Sequence, residues 1–268
     1  MPIQAAFLQF EVAFGDWSAN AATIRQLLAD SPEMDLLVLP ELAFSGYDFV
    51  DRAELDDLSE PFGDGPTRAF LTALAAEQNM VVVAGYAERA PEGPYNAAML
   101  VTPDGAAHNY RKIHLFNREQ DVFLPGDAPP PVFDTPAGRI GLMICFDWFF
   151  PETARCLALA GAEIIAHPSN LVLPWCQQAM FARSIENGVF SITANRTGTE
   201  SRTDRSLTFT GGSQILGARG ETLAKASTDR EELGWAMIDP AQARDKSIAE
   251  RNDRFGDRRP ALYGGLDS

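Results

Sequence analysis

Short apolar segments alternate with amphipathic segments along the chain, and this alternation predicts an α/β fold. The apolar segments are too short for helices, are rich in Val, Ile and Leu, and lack a clean apolar–polar alternation. Such segments are typical of strands that are covered on both faces. The predicted strands are AAFLQF (5–10), LLVLP (36–40), MVVVAG (80–85), RIGLMIC (139–145), EIIAHP (163–168), VFSITANR (189–196), SQILGARG (213–220) and GWAMID (234–239).

The amphipathic segments predict helices at residues 18–30, 66–78, 151–161 and 176–188. The third begins with Pro151 and Glu152, which favour a first helical turn, and stops at Gly161. The fourth ends at Gly188, a residue suited to a left-handed cap. Two strand–helix–strand passes, starting at residues 5 and 139, therefore predict two parallel strand pairs and an internal pseudo-symmetry.

The chain shows no linker, low-complexity segment or repeat, so the sequence predicts a single domain over residues 1–268. A length of 268 residues with 46% hydrophobic residues is enough for one large core. From about residue 240 the chain becomes polar. We expect this C-terminal tail to lie on a surface, either its own or that of a partner.

The formal net charge of −15 makes nucleic acid and membrane partners unfavourable, since it repels phosphate backbones and anionic lipids. No apolar stretch reaches the ~18 residues of a membrane span. The N-terminus, MPIQAAFLQF, lacks the basic region of a signal peptide. We therefore expect a cytoplasmic protein.

Neither the cysteines nor the histidines are spaced like a disulfide framework or a metal site. The cysteine count is odd, which argues against paired disulfides. No two histidines have the spacing of a metal-ligand pair on a helix face. The residues concerned are Cys145, Cys156, Cys176, His108, His114 and His167.

Cys145 stands where an apolar strand ends, in GLMICFDWFFPE, and a sharp turn then leads to a helix. Ligands bind at the carboxyl ends of parallel strands. A thiol at this place is positioned like a nucleophile elbow, where backbone N–H groups such as that of Phe146 stabilise an oxyanion. Cys156, in contrast, falls within the apolar periodicity of a helix and is expected to pack in the core.

A nucleophilic thiol needs a base or a cation nearby, because its ordinary pKa is about 8.5. Neither His114 nor His167 has an orienting partner in the sequence, so a Cys–His dyad is the secondary hypothesis. Glu41 directly follows a buried strand, and Lys112 and Glu119 lie in one segment, YRKIHLFNREQDVF. Taken singly, each of these charged residues is also compatible with an ordinary loop or ion-pair role.

As a set, PELAFSGY, YRKIHLF and GLMICFDWFFPE resemble the motifs of the nitrilase superfamily of carbon–nitrogen hydrolases. The match covers nearly the whole chain and resembles most the small, single-domain prokaryotic nitrilases and amidases. The resemblance implies a Glu–Lys–Cys triad with Glu41 as general base, Lys112 as cationic stabiliser and Cys145 as nucleophile. Glu119 matches a second glutamate that positions the substrate.

The resemblance further implies a four-layer α-β-β-α sandwich, a homodimer or higher homo-oligomer, and a reaction without metal or organic cofactor. The expected activity is hydrolysis of small amides to carboxylic acid and ammonia through a cysteine thioester. A nitrilase is the first alternative. An N-carbamoyl amidohydrolase, an acyltransferase, a non-catalytic binding protein and a zinc protein stay open.

Aromatic residues beside the motifs predict a narrow pocket for small or slender substrates, although at least half of them should pack in the core. An asparagine just after the strand EIIAHP could donate a hydrogen bond to the substrate or serve only as a turn residue. The predicted substrate-binding residues are Phe146, Trp148, Asn170, Tyr47 and Phe116.

Overall fold

A computed structural model describes residues 1–264 and contains two six-stranded sheets, together with two short two-stranded pairs. The residues 265–268 of the predicted tail lie outside this range. In chain order the strands are β1 (Ile3–Gln9), β2 (Leu36–Val38), β3 (Val81–Ala90), β4 (Gly93–Val101), β5 (Ala107–Arg111), β6 (Val132–Thr135), β7 (Gly138–Leu142), β8 (Ile164–Pro168), β9 (Phe190–Ala194), β10 (Thr199–Glu200), β11 (Leu207–Thr208), β12 (Gln214–Leu216), β13 (Thr222–Lys225), β14 (Glu232–Ile238), β15 (Ser247–Ala249) and β16 (Asn252–Asp253). The α-helices are α1 (Trp17–Leu28), α2 (Arg52–Leu58), α3 (Pro66–Gln78), α4 (Glu119–Val122), α5 (Pro151–Leu159) and α6 (Cys176–Asn187). Short 3₁₀ helices span Cys145–Phe149, Pro240–Arg244 and Pro260–Leu262.

The two large sheets share one pattern, a parallel centre with antiparallel flanks. Their strand orders are β14-β1-β2-β3-β4-β5 and β13-β12-β9-β8-β7-β6. The strands β1, β2 and β3 are parallel, as are β7, β8 and β9. Both predicted strand–helix–strand passes are therefore present, with α1 and α5 as the connecting helices.

The side chains of β1 separate into two cores because successive residues of a strand point to opposite faces. Ala6 and Leu8 pack with α1 and α3 on the outer face of the first sheet. Ala5 and Phe7 pack in a second cluster, which includes the second sheet and the helices α5 and α6. The layers thus follow the order α-β-β-α, which confirms the predicted sandwich.

The prediction that Cys156 packs in the core is wrong, because this residue is exposed. The helix α5 buries Ala154, Leu157 and Ala158, and Cys156 lies on the other side of the helix. The prediction of a left-handed cap is correct, since Gly188 ends α6 with a φ of 58°.

The described part of the tail runs over the outer layer formed by α5 and α6. Arg244 pairs with Glu163. Lys246 donates to the carbonyl oxygen of Gly188 at 2.9 Å, and Arg254 donates to that of Ile185 at 2.8 Å. The bonds from Lys246 and Arg254 satisfy carbonyl groups at the C-terminal end of α6, which have no hydrogen-bond partners within the helix. No helix within residues 1–264 combines the length and the apolar character that a membrane crossing needs.

Candidate active site

The predicted catalytic residues follow the carboxyl ends of strands, and the fold brings these ends together. Glu41 follows β2, Lys112 directly follows β5, and Cys145 follows β7. Glu119 is the first residue of α4. All four side chains are buried.

Lys112 joins the two glutamates. Its Nζ lies 2.6 Å from Oε1 of Glu41 and 2.8 Å from Oε1 of Glu119. Nδ2 of Asn96, in β4, donates to the same Oε1 of Glu41 at 2.7 Å. The other oxygen of Glu41, Oε2, is buried and has no hydrogen-bond partner among the described residues. One face of this carboxylate is therefore fixed, and the other is available as an acceptor.

The backbone at Glu41 is held by a close approach to Gly85 in β3. A Cβ atom on Gly85 would lie only 2.4 Å from Cα of Glu41, so the position requires glycine. The N–H of Gly85 donates to the carbonyl of Pro40 at 3.0 Å, and the N–H of Ala43 donates to that of Gly85 at 3.0 Å. The sheet thereby fixes the position of the carboxylate.

Besides Lys112, two further groups hold the carboxyl group of Glu119 at the start of α4. Tyr47 donates from its hydroxyl to Oε1 at 2.6 Å, and the N–H of Phe116 donates to Oε2 at 3.2 Å. Burial raises the pKa of the Glu119 carboxyl, and the charge of Lys112 opposes this effect.

Cys145 opens a 3₁₀ helix, and the strand before it ends earlier than predicted, at Leu142. Its φ of 39° lies in the left-handed region, which costs a non-glycine residue about 1–3 kcal/mol. The buried carboxylate of Asp147 supports this turn. It accepts hydrogen bonds from the N–H of Ile144, the hydroxyl of Tyr110 and Nδ1 of His114, each at 2.8 Å.

The thiol and the amine keep their protons in the resting site. Burial raises the pKa of the Cys145 thiol, and Glu41 raises it further, against the opposing effect of Lys112. Burial disfavours the charge on Lys112, yet Glu119 and Glu41 together raise its pKa above the ordinary value. Attack by the sulfur therefore requires a base that removes its proton.

The two candidate histidines stabilise the backbone turn around Cys145. His167 donates from Nε2 to the carbonyl oxygen of Cys145 at 2.9 Å, and burial lowers its pKa to about 4. His114 contacts Asp147 and stacks on Phe150, with 3.8 Å between the ring centroids. Neither ring hydrogen-bonds the sulfur within the part of the chain that the structure describes, so the geometry gives a Cys–His dyad no support.

A small pocket opens beside Cys145. It brings together four of the five predicted substrate-binding residues, Phe116, Phe146, Trp148 and Asn170, and adds Leu171, Val172 and Leu173. Tyr47 does not line this pocket, because its hydroxyl is directed to Glu119. Across residues 1–264, no group of three or more His, Cys, Asp or Glu side chains could hold a metal ion.

Comparison with known proteins identifies the family. The model of the family described as "Carbon-nitrogen hydrolase" matches residues 4–246. This chain belongs to the carbon–nitrogen hydrolase family. It is 42% identical over 263 residues to a nitrilase of Pyrococcus abyssi, with 97% of this chain and 99% of the relative covered. It is 36% identical over 254 residues to an (R)-stereoselective amidase of a Pseudomonas species, with 93% and 89% covered.

The three-dimensional comparison agrees with this assignment. A carbon–nitrogen hydrolase from Helicobacter pylori superimposes with a TM-score of 0.89 at 31% identity, covering 100% of this chain and 99% of that protein. The chain is thus an enzyme of the nitrilase superfamily, as the three sequence motifs indicated.

This carbon–nitrogen hydrolase site also contains residues that the sequence did not reveal. Asp147 lies within the cysteine motif, so its place two residues after the thiol was the available signal. No sequence signal pointed to Asn96, because this residue reaches Glu41 from a different strand. Glu200 accepts hydrogen bonds from the N–H groups of Tyr47 and Asp48, at 3.1 and 2.6 Å. It is paired with the buried Arg196 and so holds the loop that carries Tyr47.

Proposed function

We propose that this carbon–nitrogen hydrolase cleaves small amides to a carboxylic acid and ammonia through a thioester on Cys145. The observation that carries the proposal is how the two carboxylate oxygens of Glu41 are hydrogen-bonded. Lys112 and Asn96 fix one of its oxygens, and the buried second oxygen has no partner within the described chain. Such a carboxylate is prepared to receive a proton beside a thiol that cannot ionise alone.

In the first half of the reaction, Glu41 takes the proton of the thiol and the sulfur bonds to the carbonyl carbon. Lys112 and the backbone N–H of Phe146 stabilise the negative charge that develops on the oxygen. Glu41 then returns the proton to the nitrogen, the C–N bond breaks, and ammonia leaves. The acyl group remains on Cys145 as a thioester.

In the second half, Glu41 takes a proton from water while the water oxygen bonds to the thioester carbon. The C–S bond breaks, and the sulfur receives the proton again. The sum is amide plus water giving acid plus ammonia, with the enzyme regenerated. Glu119 fixes the position of Lys112 through the 2.8 Å ion pair and, in this proposal, also holds the substrate.

The free acceptor on Glu41 favours an amide over a nitrile. A carboxamide nitrogen carries two N–H donors, one of which can bond to Oε2, whereas a nitrile carries no donor. A nitrilase is the second candidate, supported by the relative from Pyrococcus abyssi. The same thioester would also serve an N-carbamoyl substrate or, with an amine in place of water, acyl transfer.

Ammonia and acid formation over a panel of short amides, nitriles and N-carbamoyl compounds tests the proposal. We expect amides to be hydrolysed fastest. Replacing the nucleophile in Cys145→Ala should abolish turnover with the fold intact, whereas Cys156→Ala, which removes an exposed thiol, should keep wild-type activity. Turnover of nitriles with amides untouched would establish the nitrilase instead, and near wild-type activity of Cys145→Ala would exclude the thioester.

The homodimer and the cytoplasmic location stay predictions. The dimer is supported by apolar side chains exposed on the outer helical layer, where Leu159 is 47% and Phe181 is 49% exposed. Apolar groups on one outward face are suited to association with a second copy.

A further inference from the structure

The pocket beside Cys145 combines apolar walls with one buried polar side chain that has no partner. We infer that this pocket takes an uncharged acyl group, and that Asn170 recognises an uncharged hydrogen-bonding substituent on it. This inference rests on the proposed function, because it assigns the substrate class of the same site. It defines the class as short amides whose acyl chain ends in a neutral polar group such as a carboxamide.

The walls of the pocket disfavour a charged acyl group. None of the described residues that line it is charged, and apart from Cys145 and Asn170 its side chains are aromatic or aliphatic. A charge placed there would lose its hydration without a partner, which costs several kcal/mol. The charged residues that act on the thiol also disfavour an anion, because they comprise two carboxyl groups and a single ammonium group.

Asn170 supplies the polar contact. It is only 2% exposed, and neither Nδ2 nor Oδ1 has a hydrogen-bond partner in the described chain. Its backbone is held on both sides, since Ser169 donates to the carbonyl of Ala194 at 2.9 Å and Leu171 donates to Oδ1 of Asn195 at 2.8 Å. Asn170 and Cys145 line the same pocket. The backbone therefore holds Asn170 beside Cys145.

A buried carboxamide without partners costs about 1–3 kcal/mol, and a ligand that satisfies it recovers this free energy. The side chain offers both N–H donors and a carbonyl acceptor. A substituent that accepts and donates at once, such as a second carboxamide, can bond to both atoms. A carboxylate can only accept, and an alkyl group can do neither.

Three amides of matched shape separate these possibilities: succinamide, 4-methylpentanamide and succinamate. Their far ends are a carboxamide, an isopropyl group and a carboxylate. Binding is measured on Cys145→Ala by calorimetry, and ammonia release is measured on the wild type. We expect succinamide to bind about tenfold more tightly than 4-methylpentanamide and at least about 100-fold more tightly than succinamate. Equal or tighter binding of succinamate, or no binding of any of the three, would overturn the inference.

The two measurements distinguish the inference from the proposed function. Binding in the expected order without ammonia release by the wild type would leave the pocket assignment standing and refute the hydrolysis of amides. Ammonia release with succinamate as the best substrate would support the hydrolysis of amides and refute the pocket assignment.

The variant Asn170→Leu tests the residue itself. It should remove the preference for succinamide over 4-methylpentanamide, mainly through a higher KM for succinamide. Asn252→Leu removes a carboxamide from the tail and should leave the preference unchanged. An unchanged preference in Asn170→Leu would refute the role of Asn170, and circular dichroism verifies that the variant is folded.

Discussion

The protonation of Cys145 determines how the reaction should depend on pH. Burial and Glu41 raise the pKa of the thiol. In the proposed reaction the attacking group is therefore a neutral thiol, which transfers its proton to Glu41. This arrangement differs from a preformed thiolate, in which a cation dominates the surroundings of the sulfur. Lys112 is present, but its charge is shared with two carboxyl groups.

We therefore expect kcat/KM to show no rise near pH 8.5, where a free thiol ionises. On the acid side the rate should fall as the carboxyl groups take up protons. Because burial raises the pKa of Glu119, the midpoint of this fall should lie above about 4.3, the ordinary value for glutamate. A pH–rate profile measures both limbs, and an increase centred near 8.5 would indicate that the thiolate is the attacking species.

Glu119→Gln should lower kcat/KM at least about tenfold while leaving the nucleophile reactive. The substitution weakens charged hydrogen bonds to Lys112 and Tyr47, each of which contributes about 1.5–3 kcal/mol. Acylation of Cys145 in this variant, measured by mass spectrometry, is the decisive readout. A variant whose Cys145 could no longer be acylated would assign Glu119 to activation of the thiol itself.

The sequence predicted Glu41, Lys112, Cys145 and Glu119 as site residues because each lies within or beside a contiguous motif. It could not locate Asn96, whose contact with Glu41 depends on the pairing of β4 with the segment after β5. That pairing is visible only in space, where the N–H of Lys112 donates to the carbonyl of Asn96 at 2.8 Å.

At the level of secondary structure, the 3₁₀ helix Cys145–Phe149 holds Cys145 in a left-handed backbone conformation that is unfavourable for a non-glycine residue. The carboxylate of Asp147 stabilises that conformation by accepting hydrogen bonds from the residue before the thiol and from two side chains. The turn therefore fixes the position of the Cys145 sulfur.

Asp147→Asn should destabilise this turn, because the side-chain NH₂ group of asparagine would face hydrogen-bond donors that now bond to a carboxylate oxygen. We expect a loss of about 1–3 kcal/mol in the free energy of unfolding, together with a decrease in kcat. Urea unfolding and kinetics measure the two effects. The exposed Asp134 provides the control, since Asp134→Asn should change neither, and equal behaviour of the two variants would contradict the assigned role.

The strands at the centre of the two sheets were predictable because burial on both faces leaves a continuous apolar run in the sequence. The antiparallel strands β4 and β5 were not predicted. β4 begins with Gly93 and Pro94 and contains Asn96, so its apolar pattern is broken. The hairpin of β10 and β11 has two residues in each strand, and tertiary contacts such as those of Glu200 hold it in place.

At the scale of the whole molecule, the family resemblance and the exposed apolar groups on the outer helices predict association of two copies. Sedimentation velocity should give a dimer for the wild type and a monomer for the double variant Leu159→Glu, Phe181→Glu, because burying carboxylates without partners opposes association. Val50→Glu, at a residue that is 51% exposed outside α5 and α6, should leave the dimer unchanged. A monomeric wild type would contradict the prediction.

The proposed thioester on Cys145 can be detected by mass spectrometry of the enzyme quenched with acid during turnover of a short amide. We expect the peptide containing Cys145 to gain the mass of the substrate minus ammonia, and we expect this added mass to disappear once the substrate is consumed. Turnover in which only Cys156 or Cys176 carries the acyl group, or in which Cys145→Ala remains active without any adduct, would contradict the proposal.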